Sequence, residues 1–228
     1  MRLSVVMPVY NERESILKVI DRVLKEEMVH EVIVVDDGSS DGTRELLLRS
    51  ALDSRVKVLL HDKNMGKGAA LRTGFQMASG DVTVVQDADH EYDPAEYKAL
   101  MAPIERGDAD AVYGSRLSGG RPQRAYLFWH KLGNNFITLF ANLLYNTTLS
   151  DIETGYKMIR TSLLKEISLR SNGFDIEPEV TAKMLKKRAR VYEVPISYYG
   201  RTYSEGKKIF WYHGLEAIWT LVKYRFVD

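Results

Sequence analysis

The fold is decided by one stretch, Asp81-Val82-Thr83-Val84-Val85-Gln86-Asp87-Ala88-Asp89, in which an apolar run ends in two acids. The apolar residues 82–85 predict a buried β-strand. Side chains two residues apart in an extended chain point the same way, so Asp87 and Asp89 converge. Converging carboxylates repel each other unless a cation or a shared proton lies between them. The pair therefore indicates a site for Mg²⁺ or Mn²⁺ beside phosphate groups, or equally a solvated strand end.

Outward from this stretch, apolar strand patterns alternate with amphipathic helix patterns. The predicted strands cover 3–9, 31–35, 56–60, 82–85, 109–113 and 191–196. The predicted helices cover 12–25, 43–52, 67–78, 94–105, 125–145, 178–187 and 209–226. Such alternation predicts an α/β fold with a mostly parallel, doubly wound sheet.

Composition narrows the class of protein. The chain has 228 residues, of which 45% are hydrophobic and 28% charged, enough for one large globular domain. A formal net charge of +1 argues against a nucleic-acid partner, and the lack of cysteine excludes disulfides and cysteine nucleophiles. No apolar run approaches the roughly 18 residues of a membrane span, so we expect no transmembrane segment and a cytoplasmic location.

Two predicted helices, 125–145 and 209–226, are rich in aromatic residues and carry Lys and Arg nearby. This combination is typical of helices that lie in a membrane interface. We favour that interpretation for 209–226. For 125–145, a core helix and an interface helix are equal alternatives, and either helix could instead form a homo-oligomer contact.

Polar residues follow four predicted strands: Pro8-Val9-Tyr10-Asn11-Glu12, Asp36-Asp37-Gly38-Ser39, Asp87-Ala88-Asp89-His90-Glu91 and Gly114-Ser115-Arg116. Ligands of an open parallel sheet bind beyond the carboxyl ends of its strands, which makes these residues candidates for a site. Asn11 and Asp41 are alternatively helix caps. The glycines at 66 and 68 either let the backbone approach a nucleotide sugar or form a tight loop. The glycine-rich dinucleotide and phosphate-loop motifs are absent.

These strand ends, together with Asn64-Met65-Gly66-Lys67-Gly68, occur in an order that resembles the inverting family-two glycosyltransferases. The later segments 153–157 and 200–208 resemble polyprenyl-phosphate glycosyltransferases of the dolichol-phosphate mannose and glucose synthase type. The resemblance covers nearly the whole chain. It implies a single GT-A-type domain over 1–228, with nucleotide-sugar binding in 1–116 and an acceptor- and membrane-facing part in 117–228.

The resemblance also implies roles for individual residues. The implied donor-binding residues are Pro8, Tyr10, Glu12, Val35, Asp37, Lys67, Asp87, Ala88 and Asp89. The implied metal ligands are Asp87, Asp89 and Glu91, and the implied phosphate-binding residues of the acceptor site are Arg116, Arg201 and Lys207. Asp89 and Arg116 are expected to act in catalysis. Asp151 is a candidate base if the acceptor needs one, or else a turn or cap residue.

The function that this resemblance implies is metal-dependent transfer of a sugar from a UDP- or GDP-sugar to a polyprenyl phosphate. We expect the protein to lie peripherally at the inner face of the cell membrane. A phosphate acceptor is already ionised near neutral pH, whereas a glycan or small-molecule hydroxyl acceptor would need a base. That hydroxyl acceptor is one alternative, and a catalytically silent nucleotide-binding module at the membrane is another.

Overall fold

A computed structural model describes residues 1–122, 124, 128–201 and 212–227. Within these residues, seven strands form one sheet: β1 (Leu3–Val9), β2 (Val29–Asp36), β3 (Val56–Leu60), β4 (Val82–Val85), β5 (Ala111–Ser115), β6 (Lys157–Arg160) and β7 (Val191–Pro195). Their order in the sheet is β3-β2-β1-β4-β6-β5-β7. Every neighbouring pair is parallel except the two that involve β6. The predicted mostly parallel sheet is thereby confirmed.

Helices connect the strands and cover both faces of the sheet. They are α1 (Ile16–Leu24), α2 (Thr43–Arg49), α3 (Lys67–Met77), α4 (Tyr97–Glu105), α5 (Phe128–Tyr145), α6 (Thr161–Glu166), α7 (Ile176–Lys186) and α8 (Tyr212–Phe226), with a 3₁₀ turn at Pro94–Glu96. Successive strand residues point to opposite faces. On β1, Val5 and Met7 join a core cluster with α1 and α4, whereas Val6 joins a second cluster with α3 and α7. The sheet is therefore doubly wound, as the sequence predicts.

One strand departs from the expected α/β alternation. β6 runs antiparallel between β4 and β5, and α6 follows it directly. Both β6 and β7 belong to the 117–228 part, yet they hydrogen-bond within the same sheet as the strands of 1–116. A division at residue 116 is thus not a break in the sheet, and the separate roles of the two parts stay a prediction.

Helices α5 and α8 pack against each other, and each has one buried and one exposed face. The Tyr145 hydroxyl of α5 donates to the Leu221 carbonyl of α8 over 2.8 Å. Outward-facing Trp129 and Trp219 are 77% and 67% exposed. Core packing and an exposed apolar face thus coexist on both helices, and the predicted starts at 125–127 and 209–211 lie outside the described residues. Among the described helices, none has the length and apolar character to cross a bilayer.

Candidate functional site

A cavity of about 380 Å³ opens at the carboxyl ends of β1, β2 and β4, where the first turn of α3 and the segment 198–201 close around it. Its lining residues are Pro8, Val9, Tyr10, Glu12, Asp37, Asn64, Gly66, Lys67, Ala70, Asp87, Ala88, Asp89, Glu91, Phe174, Tyr198 and Arg201. Parallel strands bring their carboxyl ends to one edge of the sheet, which explains why residues so distant in sequence meet here. We call this space the donor cavity, because eight of its lining residues are predicted to bind the donor.

Most of the residues implied to bind the donor or the metal ion line the donor cavity. Three residues to which the sequence analysis assigned a role do not line it. Val35 is fully buried in the cluster that also contains Ala70 and Leu71 of α3, so its side chain belongs to the core. Arg116 and Asp151 lie outside the lining. Lys207 falls outside the described residues.

Asp37 organises the loop that forms one wall of the cavity. Its carboxylate accepts hydrogen bonds from the backbone N–H groups of Met65 and Gly66, over 3.0 and 2.8 Å. His61 Nδ1 lies 2.7 Å from the same carboxylate, and His61 Nε2 lies 3.0 Å from the Thr73 hydroxyl of α3. These contacts fix the loop against α3. Sequence reasoning missed His61, since its partners are distant in the chain.

The glycines of that loop are required by the chain's own packing. A Cβ at Gly66 would lie 2.3 Å from the Asn172 carbonyl oxygen, and one at Gly68 would lie 2.5 Å from the Ser171 carbonyl oxygen. Gly66 also has φ +98°, a conformation that L side chains rarely adopt. This favours the tight-loop alternative, and close approach to a nucleotide sugar stays a prediction.

The donor cavity is rich in negative charge. Five acidic side chains line it, against the two basic side chains of Lys67 and Arg201. Lys67 Nζ lies 2.8 Å from Asp87 Oδ1. Arg201 Nη2 lies 2.5 Å from Asp89 Oδ2, and the same guanidinium contacts Glu12 over 3.2 Å. Each of the two predicted metal-binding aspartates is therefore paired with an internal cation.

Charge crowding shifts the pKa values of two groups in this cluster, Asp89 and Arg201. Burial raises the pKa of the Asp89 carboxyl, and the nearby carboxylates of Asp87 and Glu91 raise it further, against the opposing effect of Arg201. Burial alone would lower the pKa of Arg201, but its three carboxylate neighbours raise it above its usual value. The negative charge of the cluster is thus only partly compensated by the chain itself.

The predicted three-carboxylate metal set is not assembled. Across the residues that the structure describes, no group of three His, Asp or Glu side chains is arranged to hold an ion. The Glu91 carboxylate instead accepts hydrogen bonds from the Tyr198 hydroxyl, over 2.9 Å, and from the Arg201 backbone N–H, over 2.7 Å. Asp87 and Asp89 still suit Mg²⁺ or Mn²⁺, because such ions commonly take one or two carboxylates and complete their shell with phosphate oxygens and water.

Arg116 forms a closed ion pair with Asp151. Its Nε and Nη2 atoms donate to the two carboxylate oxygens over 2.7 and 2.8 Å, and its backbone N–H donates over 3.0 Å. The Asn134 amide of α5 adds a further bond over 2.9 Å. Burial alone would raise the pKa of Asp151, but Arg116 and Asn134 overcome it and hold the pKa below its usual range. Asp151 is thus a poor proton acceptor, which argues against its predicted role as a base.

Glu153 is a candidate that the sequence did not single out, although it lies in the quoted segment 153–157. Its Oε1 atom is buried and accepts no hydrogen bond from any described residue. Burial raises the pKa of its carboxyl to about 7, against the opposing charges of Lys157 and Arg116. A carboxyl with this pKa can exchange a proton near neutral pH, which is the property that Asp151 lacks.

Three comparisons place the chain among known proteins. Residues 4–168 match the model of the family described as glycosyl transferase family 2. The chain is 32% identical over 232 residues to the dolichol-phosphate mannosyltransferase of Pyrococcus furiosus, covering 98% of this chain but only 64% of that protein. It is 31% identical over 214 residues to the undecaprenyl-phosphate mannosyltransferase of Micrococcus luteus, covering 91% and 87%.

Among solved structures, the chain resembles glucosyl-3-phosphoglycerate synthase from Mycobacterium tuberculosis, crystallised with Mn²⁺, UDP and glucosyl-3-phosphoglycerate. The TM-score is 0.75 at 21% identity, over 100% of this chain and 81% of the other. This likeness and the sheet described above confirm the predicted GT-A-type α/β fold. Since the family model spans most of the chain, the chain belongs to glycosyl transferase family 2 and is a glycosyltransferase.

Proposed function

We propose that the protein transfers a sugar, with inversion, from a UDP- or GDP-sugar to a polyprenyl phosphate, and that it requires Mg²⁺ or Mn²⁺. The names of its relatives from Pyrococcus furiosus and Micrococcus luteus support the polyprenyl-phosphate acceptor. The observation that carries the proposal is the donor cavity, whose acids and bases lie at the strand ends where this fold binds ligands.

The charge of the donor cavity supports the requirement for a metal ion. A nucleotide-diphosphate sugar is an anion, and five acidic side chains would repel it from a cavity with two basic ones. Asp87 and Asp89 would hold the divalent ion, with the donor diphosphate supplying the other ligands. When bound, the ion neutralises charge that develops on the departing diphosphate. Lys67 and the implied donor residues of the lining would orient the nucleotide.

The acceptor side of the proposal rests on Arg116. Asp151 holds its guanidinium rigidly, so the arginine is preorganised to bind phosphate. An ionised phosphate attacks the anomeric carbon without help from a base, and this agrees with the low basicity of Asp151. Arg201 would bind phosphate as well, and Lys207 retains the same predicted role. In this scheme, both parts of the chain contribute to the acceptor site, Arg116 from 1–116 and Arg201 and Lys207 from 117–228.

The exposed apolar face of α5 and α8 supports a location at the inner face of the cell membrane. Leu143, Leu215 and Trp219 are among its exposed side chains, and an apolar face of this kind favours a bilayer interface. This apolar face also lies close to Arg116 and to the donor cavity. Asn134 of α5 binds Asp151, and the His213 ring of α8 lies 5.0 Å from the cavity residue Phe174. A lipid phosphate entering beside these helices would have a short path to Arg116.

The proposal is tested by incubating the purified protein with undecaprenyl or dolichyl phosphate, Mn²⁺ or Mg²⁺, and a panel of UDP- and GDP-sugars. We expect a metal-dependent glycolipid product from one donor. Nucleotide release without lipid glycosylation would contradict the acceptor. Nucleotide binding without any turnover would favour the silent module instead.

A hydroxyl acceptor is the second candidate, and Glu153 is the observation that favours it. Its raised pKa, and an Oε1 atom that accepts no hydrogen bond from the described residues, suit a base that takes a proton from a hydroxyl as it attacks. Under this alternative, a glycan or small-molecule alcohol would accept the sugar in the absence of lipid. Product formation with soluble acceptors alone distinguishes the two candidates.

A further inference from the structure

Lys67, at the start of α3, lies between two carboxylates. Its Nζ atom is 2.8 Å from Asp87 Oδ1 and 3.7 Å from Glu177 Oε1. Lys67 therefore bonds directly to only one of its two anionic neighbours.

Glu177, in the first turn of α7, is held so that one oxygen stays available. Its Oε2 atom accepts a bond of 2.5 Å from the Lys157 ammonium. Lys157 is 1% exposed and also donates to the backbone carbonyls of Ile152 and Thr154, which together account for its three N–H donors. Glu177 Oε1 is buried and accepts no hydrogen bond within the described part of the chain. A buried carboxylate oxygen without a donor is costly unless a partner reaches it in another state.

We propose that Glu177 is the alternate partner of Lys67, and that it receives the lysine when a divalent ion takes over Asp87. A movement of the ammonium by about 1 Å brings it to normal hydrogen-bonding distance of Glu177 Oε1. The flexible stem of lysine allows such a movement without displacement of α3. Glu177 is then a positioning residue for metal binding, and this inference rests on the proposed metal-dependent function.

Charge balance explains why such a partner is needed. A divalent ion on Asp87 and Asp89 brings two positive charges to carboxylates already paired with Lys67 and Arg201. Arg201 keeps other carboxylates when Asp89 is taken, as its contact with Glu12 shows. For Lys67, the described carboxylates in ion-pair range are Asp87 and Glu177 alone. Without Glu177, the displaced lysine would be a largely buried charge with no carboxylate partner among the described residues.

Two substitutions should shift the affinity for Mn²⁺ in opposite directions. Glu177→Gln keeps the side-chain shape but removes its charge, so Lys67 stays on Asp87 and competes with the ion. We expect the Kd for Mn²⁺ to rise about tenfold or more, given the strength of close charge pairs in a partly buried site. Lys67→Met removes the competitor, and the Kd should fall. The free ion is measured by electron paramagnetic resonance, first with Mn²⁺ alone and then with UDP or GDP present.

Coupling between the residues separates this role from a merely structural one. In Lys67→Met protein, adding Glu177→Gln should leave the Kd for Mn²⁺ unchanged, because the lysine that needs the partner is gone. Glu179→Gln is the matched control. Glu179 is also buried on α7 but pairs with Lys183 over 2.7 Å. That variant should lose stability without a change in Mn²⁺ affinity.

The inference is overturned if Glu177→Gln binds Mn²⁺ like the wild type, or if its effect persists in the Lys67→Met background. An equal loss of affinity in Glu179→Gln would also overturn it, since the effect would then be general damage to α7. Wild-type protein that binds no Mn²⁺ contradicts both this inference and the proposed metal requirement. Wild-type protein that binds Mn²⁺ but makes no glycolipid contradicts the proposed acceptor alone, and the opposite shifts in Kd would still stand.

Discussion

Arg116 and Arg201, the two arginines predicted to bind phosphate, are held in contrasting ways. Arg116 gives two parallel hydrogen bonds to a single carboxylate, Asp151, which is fully buried. Arg201 is shared among Glu12, Asp89 and Glu91, and its buried Nε atom makes no hydrogen bond with any described group. The first is a closed pair, and the second is a shared one.

This difference indicates which arginine moves during the reaction. A bidentate pair with matched geometry is strong and fixes both partners. A guanidinium shared by three carboxylates keeps two of these partners when it loses the third. We therefore expect Arg116 to be a fixed part of the site, and Arg201 to change partners as ion and substrates bind.

The largest expected effect comes from Asp89→Ala, which removes the carboxylate from the shared cluster. If Asp89 binds the catalytic ion, turnover should fall by roughly 10³-fold, because charge on the leaving diphosphate is no longer neutralised. The fold should remain, as judged by circular dichroism. Activity equal to the wild type would refute the ligand role.

Asp151→Asn tests the closed pair through stability. It leaves the buried guanidinium of Arg116 without its anion, and breaking such a pair costs about 3–5 kcal/mol of unfolding free energy. Arg201→Gln, in the shared cluster, should cost much less. Urea denaturation of both variants measures the difference. Similar losses would show that the two arginines are equally structural.

Glu31 offers a closed carboxylate cluster away from both arginines. Burial alone would raise its pKa, but Lys57, Ser4 and Ser79 lower it to about 2. Because this pKa is lower in the folded protein, the ionised Glu31 carboxylate stabilises the fold. The stabilisation is complete above the pKa of the unfolded chain, about 4.5, and is lost as the pH falls towards 2. Because Lys57 is half exposed, we expect Glu31→Gln to cost only about 1–3 kcal/mol at pH 7. Denaturation from pH 7 to 2 should show the gap to wild type closing over this window.

The acceptor side is tested further by Leu215→Ser with Trp219→Ser on the exposed face of α8. Both side chains are largely exposed, at 61% and 67%, so the fold should tolerate the change. Loss of their apolar surface should weaken binding to liposomes by about tenfold. The matched control is Leu48→Ser, which changes an equally exposed leucine on α2. A weaker self-association with unchanged liposome binding would favour a homo-oligomer contact instead.

The smallest expected effect is that of Glu153→Gln. With a phosphate acceptor, no base is required, so turnover and its pH dependence should change by less than about threefold. A hydroxyl acceptor predicts a large loss and the disappearance of a titration near pH 7. The pH profile of the glycosyl transfer rate therefore separates the two candidate acceptors.

The sequence predicted six of the seven strands and the edge of the sheet where the candidate site residues meet. Apolar runs such as 82–85 are local signals, and parallel pairing brings their polar ends together, so Asp37, Asp87 and Asp89 were found in one place. The family resemblance was confirmed, and so was the class of enzyme. The fold class and the family could be predicted because the patterns that indicate them lie within short segments of the chain.

What the sequence did not reveal depends on contacts between distant segments. β6 has four residues, and Lys157 within it is buried because Glu177, twenty positions on, neutralises it. Val35 was expected in the donor pocket but lies under α3. Asp151 was a candidate base or else a turn or cap residue, and its bonds to Arg116 argue against the role of base. Pairing of charges across the fold sets these roles, and no local pattern encodes it.

The antiparallel strand β6 has a consequence for how the protein can be engineered. It lies between β4 and β5, so it fills a gap in the sheet that a fragment ending at residue 116 would leave open. The unpaired edges of β4 and β5 in such a fragment would invite aggregation. Exchange of residues 117–228 between relatives is therefore not a modular operation. Changes of specificity are better sought by substitutions in loops and in the outer faces of α5 and α8, which leave the sheet intact.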